Sequence, residues 1–399
     1  MIGYGLIKEH NQNNKVDAFE VRKVNLLITF SFLFVSLLIY IFQYHIEFFG
    51  HIGFGGMFIA DTLGMQGNII RGVENGIDAS YKTILGVFYL YYLSYWLGDL
   101  YCYLVNSLLL IISSVFFLKT LEKIRLEISI QKICIIFFLS YCNFYLMGAL
   151  FHPNKEIPLI ALTNLFIYNL VGKGRVLIPF FISLLVLTFR DAFSLILIMS
   201  IFAVRANVIF RVCSRRPFLV LFLAVLFLSF FNIKYIASLG LLHDYNYILE
   251  RNVLPSEQVS QWPYIIKLFN NAFGSALRPQ PIDFNGRFNF IGLGLWQFGI
   301  VLFFGVLSWF KMLQRGCLNK HASMIVISIF ICLIFVSLGS IPQPRYMMPY
   351  VFWLSLGIVL VFRFDVFVVS VILLSFLSFV IYALGFGMNV PFGLDTYSL

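Results

Sequence analysis

The sequence predicts an all-α fold, a polytopic integral membrane helical bundle. Hydrophobic residues make up 60% of the 399 residues, and the mean hydropathy is +0.91, both far above the values typical of soluble domains. Apolar runs recur along the whole chain with lengths of roughly 15 to 25 residues, and a helix needs about 20 to span the hydrocarbon layer. Charged residues make up only 12% of the chain. We therefore expect one membrane domain over residues 1–399 and no separate soluble module.

The distribution of Lys and Arg predicts which loops face the cytoplasm. The first apolar run begins near Val24 and is not followed by a small-residue cleavage site, so we expect it to remain as a span. Cytoplasmic loops of membrane proteins carry an excess of Lys and Arg. The segments expected inside are 8–23, 119–132, 173–175, 205–216, 311–321 and Arg363.

An even number of spans must separate the first two basic segments, but three apolar stretches lie between them: 24–48, 84–97 and 100–118. The stretch 84–97 is rich in Tyr and Trp, which prefer the membrane interface. We expect it to lie as interfacial helix on the outer surface, inside a first periplasmic loop over residues 50–98. The second span then starts near Asp99.

The rest of the chain adds further spans and a second outer loop. With the N-terminus inside and the C-terminus outside, we expect about 11 transmembrane helices (roughly 10 to 12). A larger periplasmic loop is expected at 234–289. The remaining predicted spans are 133–151, 157–171, 176–189, 192–204, 217–233, 290–310, 323–340, 347–362 and 366–386.

Several functional classes find no support in the sequence. The net charge of +10 is accounted for by cationic loops facing anionic lipid, so no nucleic acid partner is expected. The six cysteines have no metal-type spacing. The chain contains no Walker A, GxSxG or HExxH motif, and its outer loops contain no DxD acid pair. No cofactor is therefore predicted, and a divalent metal is left open without being indicated.

The predicted topology collects charged groups on the outer side. Ionisable groups at or below the bilayer surface are costly, which makes them functional candidates, although any single one can be a solvated turn residue or a weak ion pair. Their recurrence in successive outer segments is what suggests a site. The candidates are Asp61 in the first loop, His152, Lys155 and Glu156 in the turn "FHPNKEIPL", Arg190 and Asp191 in the next turn, Arg278, Asp283 and Arg287 in the large loop, and Arg345 in "SIPQPRY".

Cations with nearby carboxylates suit glycan transfer from a polyprenyl-phosphate carrier. Arginine and lysine offer charge-assisted hydrogen bonds to phosphate oxygens. A carboxylate can accept the proton of an attacking hydroxyl. We expect Arg190, Arg345 and Arg278 to bind phosphates. Asp61 or Glu156 is then the base, and the other outer charges contribute to substrate binding.

The pattern resembles the polytopic bacterial glycosyltransferases of surface-polysaccharide assembly, including O-antigen polymerases of the Wzy type and related GT-C enzymes. Asp61, shortly after the first span, is similar to the Asp that serves as catalytic base in GT-C enzymes. The Lys155-Glu156 pair opens a span and is followed some 35 residues later by Arg190. An Arg-Tyr-x-x-Pro motif, beginning at Arg345, opens a late span.

The resemblance implies an enzyme of the bacterial inner membrane that polymerises undecaprenyl-pyrophosphate-linked O-antigen repeat units on the periplasmic face. Its partners would be the lipid-linked donor and acceptor, membrane lipid, and a chain-length regulator and flippase of the same pathway. Three alternatives stay open. One is a GT-C transferase that adds a single sugar from undecaprenyl-phosphate-sugar, one is a lipid-linked oligosaccharide flippase, and one is a non-enzymatic membrane scaffold. The span centres, such as 24–42 and 323–338, are almost devoid of charge, which counts against a transport path.

Overall fold

The computed structural model describes residues 18–45, 60–76, 85–126, 128–172, 176–206, 276, 290–316, 318–338 and 344–383. These residues form helices and connecting turns without a β-strand, which confirms the predicted all-α class for the described part of the chain. The predicted span at 217–233 and the 234–289 loop, apart from Ala276, lie outside the described residues, as do Arg278, Asp283 and Arg287. The α-helices are α1 (Ala18–His45), α2 (Ala60–Asn75), α3 (Leu85–Tyr91), α4 (Ser94–Lys123), α5 (Ile130–Tyr141), α6 (Phe144–Ala149), α7 (Glu156–Leu170), α8 (Leu177–Leu187), α9 (Asp191–Arg205), α10 (Phe290–Gln314), α11 (Lys320–Leu338), α12 (Val351–Val361) and α13 (Phe364–Ala383), with a 3₁₀ helix at Pro344–Tyr350.

Three of these helices are long and apolar enough to cross a membrane, namely α1, α4 and α10. The segments Arg345–Val361 and Phe364–Ser378 give a fourth candidate if they are taken as one span, although they are bent by 116° at their junction. Four shorter apolar helices lie within Ile130–Tyr141, Glu156–Leu170, Leu177–Leu187 and Lys320–Val336. The described helices thus have the composition of a membrane protein, while the number of 11 crossings stays a prediction.

The predicted span at 133–151 is interrupted at residues 142–143, between α5 and α6. The side chain of Asn143 accepts hydrogen bonds from the backbone N–H groups of Tyr145 and Leu146, which caps the start of α6. Its Nδ2 donates to the carbonyl oxygen of Gly294 in α10 at 2.9 Å. Asn143 therefore caps α6 and also joins this break to α10, which is far away in the sequence.

The aromatic stretch at 84–97 also differs in detail from the prediction. Helix α3 ends at Tyr91, and α4 already begins at Ser94 and continues into the second candidate span. Gly98 interrupts the regular helix with φ 60° and ψ −148°, a conformation that is essentially restricted to glycine. Tyr89 and Trp96 are 65% and 55% exposed. The location of this stretch at the membrane interface stays a prediction.

Helix α7 packs in the centre of the described bundle, and polar contacts fix its register. Asn164 donates to the Ser113 hydroxyl of α4 at 2.8 Å and accepts from the Trp353 indole of α12 at 2.8 Å. Close helix approach elsewhere depends on glycine: a Cβ at Gly305 would lie 2.8 Å from Leu354 Cβ. Small residues at such crossings let helices pack tightly without a hydrophobic driving force between them.

The described bundle has two polar ends that differ in charge. At the first, the basic end, Arg22 pairs with Glu122 at 3.1 Å and Lys123 donates to the carbonyl oxygen of Tyr168 at 2.8 Å. At the second, the acid–base end, Tyr40 of α1 donates to Asp99 of α4. From Asp99 to Lys123 the helix rises about 36 Å at about 1.5 Å per residue, which is comparable to the roughly 30 Å hydrocarbon core of a bilayer.

Candidate functional site

The "HPNKE" turn lies at the acid–base end and is buried. Asn106 of α4 holds the segment before it by donating its amide to the carbonyl oxygens of Ala149, Leu150 and His152, at 3.2, 2.9 and 3.3 Å. The Asn106 oxygen in turn accepts from the Tyr91 hydroxyl at 2.5 Å. Burial raises the pKa of Tyr91 well above its usual range, so this phenol is a neutral donor at physiological pH.

A second asparagine completes the turn and starts helix α7. Asn154 donates to the carbonyl oxygens of Ala149 and His152 at 2.7 and 2.9 Å. Its side-chain oxygen accepts from the backbone N–H of Ile157 at 2.9 Å, as a helix N-cap does. The two asparagines therefore fix the positions at which His152 and Glu156 leave the backbone.

Glu156 is the first residue of α7 and forms a buried ion pair with Arg190, the residue before α9. Arg190 Nη2 lies 3.8 Å from Glu156 Oε1, and the two side chains are only 9% and 5% exposed. The second carboxylate oxygen accepts from the backbone N–H of Lys155 at 3.2 Å. The pair is at ion-pair distance and longer than the roughly 2.7–2.9 Å of a charge-assisted hydrogen bond.

Arg190 and Arg345 share one aromatic ring. The guanidinium carbon of Arg190 lies 4.4 Å from the ring centre of Tyr346, and that of Arg345 lies 5.8 Å from it. Arg345 is also buried, at 8% exposure. We refer to Glu156, Arg190, Arg345 and Tyr346 as the arginine cluster. It contains two guanidiniums and one carboxylate, and guanidiniums bind anionic ligands such as phosphates through charge-assisted hydrogen bonds.

The aromatic helix α3 packs against the turn that precedes Arg190. The backbone N–H of Gly86 donates to the carbonyl oxygen of Thr188 at 2.9 Å. A Cβ at Gly86 would lie 2.5 Å from the Thr188 hydroxyl and 2.7 Å from the Phe189 ring, so only glycine allows this approach. The first outer loop predicted from the sequence therefore contributes a helix that supports the position of Arg190.

A second group of polar side chains at the same end joins three segments. Tyr40 of α1 donates to Asp99 Oδ2 at 2.5 Å, and His152 Nδ1 lies 3.6 Å from Asp99 Oδ1. The His152 and Asp99 side chains are 6% and 26% exposed. Phe151, next to His152, stacks on the Tyr40 ring with centres 4.0 Å apart.

The structure brings together some of the predicted site residues and leaves others apart. Glu156, Arg190 and Arg345 meet in the arginine cluster, whereas His152 belongs to the group around Asp99. The remaining candidates are Lys155, which is partly buried before α7, Asp191, whose Oδ1 accepts from Ala192 N–H at 2.7 Å, and Asp61, the second residue of α2, whose side chain lies outside what the structure describes.

Two residues of this end, Asp99 and Tyr40, were not predicted as site residues. Asp99 had a visible signal, an acid inside an aromatic and apolar stretch, but it served only to mark the start of a span. Tyr40 had no signal. Among the described residues, no three His, Cys, Asp or Glu side chains come together in a way that could hold a metal ion.

Comparison with known proteins does not identify a relative. No family model, no curated protein and no solved structure matches the chain. The arginine cluster and the group around Asp99 are the features of the described residues that bear on its chemistry.

Proposed function

We propose that this chain is a membrane glycosyltransferase that polymerises undecaprenyl-pyrophosphate-linked O-antigen repeat units on the periplasmic face of the bacterial inner membrane. The observation that carries the proposal is the arginine cluster, in which two buried guanidiniums lie within 6 Å of one tyrosine ring beside a buried carboxylate. Buried charges of this kind are expensive to maintain in an apolar bundle and are functional candidates for that reason.

The arrangement suits the departure of a pyrophosphate. Glycan transfer from a lipid carrier breaks the bond between the sugar anomeric carbon and a phosphate oxygen, so negative charge grows on the leaving group. Arg190 and Arg345 supply positive charge in a partly dry environment, where placed charges stabilise a transition state most effectively. Because Glu156 is 3.8 Å from Arg190, phosphate oxygens can form shorter charge-assisted hydrogen bonds with the same guanidinium.

The two polar ends support the proposed orientation. If the basic end faces the cytoplasm, as the excess of Lys and Arg favours, the acid–base end faces the periplasm. We retain about 11 crossings (roughly 10 to 12), the periplasmic loops at 50–98 and 234–289, and partners that include the lipid-linked donor and acceptor, a chain-length regulator and a flippase.

A GT-C transferase that adds one sugar from undecaprenyl-phosphate-sugar is the second candidate. Two observations favour it: Asp61 lies at the start of a helix shortly after the first span, and α3 of the same loop packs against the turn before Arg190. A lipid-linked oligosaccharide flippase, the candidate of a different class, would need polar groups along a path through the membrane. The ionisable groups of the candidate site instead gather at one end of the described bundle.

The test is the length distribution of lipopolysaccharide on a gel, in cells in which the gene is deleted and then restored. The variants are Asp61→Asn, Glu156→Gln, Arg190→Ala and Arg345→Ala at matched protein levels. Arg363→Ala is the matched control because its ion pair with Asp365 at 3.0 Å is exposed.

Collapse of the ladder to a single-repeat band on deletion, reproduced by Arg190→Ala and Arg345→Ala but not by Arg363→Ala, is the expected result. An intact ladder with altered mobility would favour the single-sugar transferase. Lipid-linked units that accumulate on the cytoplasmic side would favour the flippase. An unchanged lipopolysaccharide profile after deletion would exclude the polymerase.

A further inference from the structure

The group of Tyr40, Asp99 and His152 has the components of an orienting carboxylate and a general base. We propose that His152 accepts the proton of the attacking sugar hydroxyl and that Asp99 is the positioning residue that orients the His152 imidazole. This inference rests on the proposed glycosyl transfer and assigns the base of that reaction, for which the sequence suggested Asp61 or Glu156.

The carboxylate of Asp99 uses its two oxygens for different partners. The Tyr40 hydroxyl donates to Oδ2 at 2.5 Å, which fixes the plane of the carboxylate. Oδ1 lies 3.6 Å from His152 Nδ1. Hydrogen bonds between catalytic groups are often long in the absence of substrate and shorten when it binds. The 3.6 Å separation is an ion-pair distance and is longer than a hydrogen bond. In the proposed reaction Nδ1 carries the proton that faces Asp99, and Nε2 on the opposite edge of the ring accepts the hydroxyl proton.

His152 is held at its backbone and through its neighbour. Asn106 and Asn154 both donate to its carbonyl oxygen. The ring of Phe151 stacks between those of Tyr40 and Tyr103, with centres 4.0 and 5.1 Å away. Only Asp99 of the pair reaches the surface appreciably, with 26% of its side chain exposed against 6% for His152. Because these contacts already hold His152 in position, little entropy is lost in orienting the base for the reaction.

Glu156 is less suited to this role because it is the counter-ion of Arg190. A proton on Glu156 would leave the buried Arg190 guanidinium without its partner, and an uncompensated buried charge is costly. The same turn therefore presents two ionisable groups, four residues apart, with separate tasks. In the proposal, His152 accepts the proton of the hydroxyl, and Glu156 positions Arg190 to bind the leaving group.

The step balances without a further reactant. The acceptor hydroxyl oxygen forms a bond to the anomeric carbon of the donor sugar, while the bond from that carbon to the phosphate oxygen breaks. The electron pair of the broken bond leaves with undecaprenyl pyrophosphate, whose charge Arg190 and Arg345 stabilise. The hydroxyl proton moves to His152 Nε2 and is then released to water.

The experiment uses full-length protein in detergent and, as substrate, the lipid extract of the deletion strain, which accumulates lipid-linked repeat units if the proposed function is right. The variants are His152→Asn, Asp99→Asn and their combination, with Tyr40→Phe as the mildest change. His321→Asn, on α11, is the matched histidine control. Loss of a general base typically lowers kcat by about 10² to 10⁴.

We expect His152→Asn to lower kcat by roughly that factor with little change in KM, and Asp99→Asn by at least about tenfold. The combined variant should be no slower than His152→Asn, because Asp99 acts through His152. Normal kcat in a folded Asp99→Asn or His152→Asn protein would overturn the assignment, as would multiplicative losses in the double variant. If the histidine variant does not fold, the Asp99→Asn and Tyr40→Phe rates decide by themselves.

Different outcomes test the proposed function and the assignment of the base. If deletion of the gene leaves the lipopolysaccharide ladder unchanged, the proposed function is wrong. If deletion removes the ladder while His152→Asn retains it and His321→Asn behaves identically, the polymerase stands and only the assignment of the base is wrong.

Discussion

The ion pair of Glu156 and Arg190 allows a quantitative test of the arginine cluster. Removal of one partner from a buried pair typically costs about 3–5 kcal/mol because the other charge stays buried and uncompensated. Solvent screening is weak here, since the side chains are 5% and 9% exposed. In Glu156→Gln the Arg190 guanidinium keeps its contact with the Tyr346 ring at 4.4 Å, a cation–π interaction worth about 1 kcal/mol. We therefore expect a loss near the lower limit, about 3 kcal/mol, or a factor of more than a hundred in the folding equilibrium.

The assay is a double-mutant cycle of Glu156→Gln and Arg190→Met, unfolded by SDS in mixed micelles and followed by the fluorescence of the buried Trp309 and Trp353. The double variant should lie within about 1 kcal/mol of the wild type, because removal of both charges removes the desolvation penalty together with the attraction. The exposed pair of Arg22 and Glu122 is the control and should contribute no more than about 1 kcal/mol. A loss below about 1 kcal/mol for Glu156→Gln, or additive losses in the double variant, would refute the reasoning.

Three further substitutions test how the site is held, each measured by the same unfolding assay. Gly294→Ala should destabilise the protein by about 1–3 kcal/mol, because the added Cβ would lie 2.3 Å from the backbone nitrogen of Tyr145. Gly67→Ala is the control: its Cβ would have nothing within 4 Å, so the substitution should be neutral or stabilising by up to about 1 kcal/mol. Equal effects of the two substitutions would contradict the packing at Gly294. Gly98→Ala should cost about 1–3 kcal/mol, because φ +60° with ψ −148° strains any residue with a Cβ, and a neutral result would argue against this backbone conformation. Asn106→Ala should cost about 2–3 kcal/mol and reduce activity, because the Leu150 carbonyl oxygen and the Tyr91 hydroxyl lose this partner and two further carbonyl oxygens keep only their bond from Asn154. Unchanged stability would show that the turn does not depend on Asn106.

The helical class and the apolar character of the helices could be predicted because they follow from local composition. The interruptions could not, because distant contacts determine them. The break before α6 depends on Asn143, whose amide finds the carbonyl oxygen of Gly294, 151 positions away in the sequence. The bend between α12 and α13 has only a local cue, the exposed ion pair between Arg363 in the short non-helical junction and Asp365 in the first turn of α13. Neither residue distinguishes a loop from a bend within a span.

In the candidate site, the residue types could be predicted in part, but their contacts could not. Glu156, Arg190 and Arg345 could be selected because a charge beside an apolar run is visible in the sequence. That Arg190 and Arg345 contact the same ring could not be predicted, since Tyr346 is one of 21 tyrosines and nothing local distinguishes it. The partner of His152 could not be predicted either. Asp99 precedes it by 53 positions, and only the packing of α4 beside the turn brings the two together.

The position of the polar groups within the bundle bears on whether they are structural. Asn164 shows what a structural polar residue does in this chain: it links α4 and α12 through neutral hydrogen bonds, close to the middle of α7. Neutral hydrogen bonds of this kind join helices without burying a charge. Replacement of a buried pair such as Arg190 and Glu156 by well-packed apolar residues often leaves stability unchanged or increases it. If the polar groups served only to hold the helices together, neutral hydrogen bonds such as those of Asn164 would suffice. Buried ionisable groups are instead concentrated at the end opposite to Arg22 and Lys123, and a charged substrate that binds at that end explains them better.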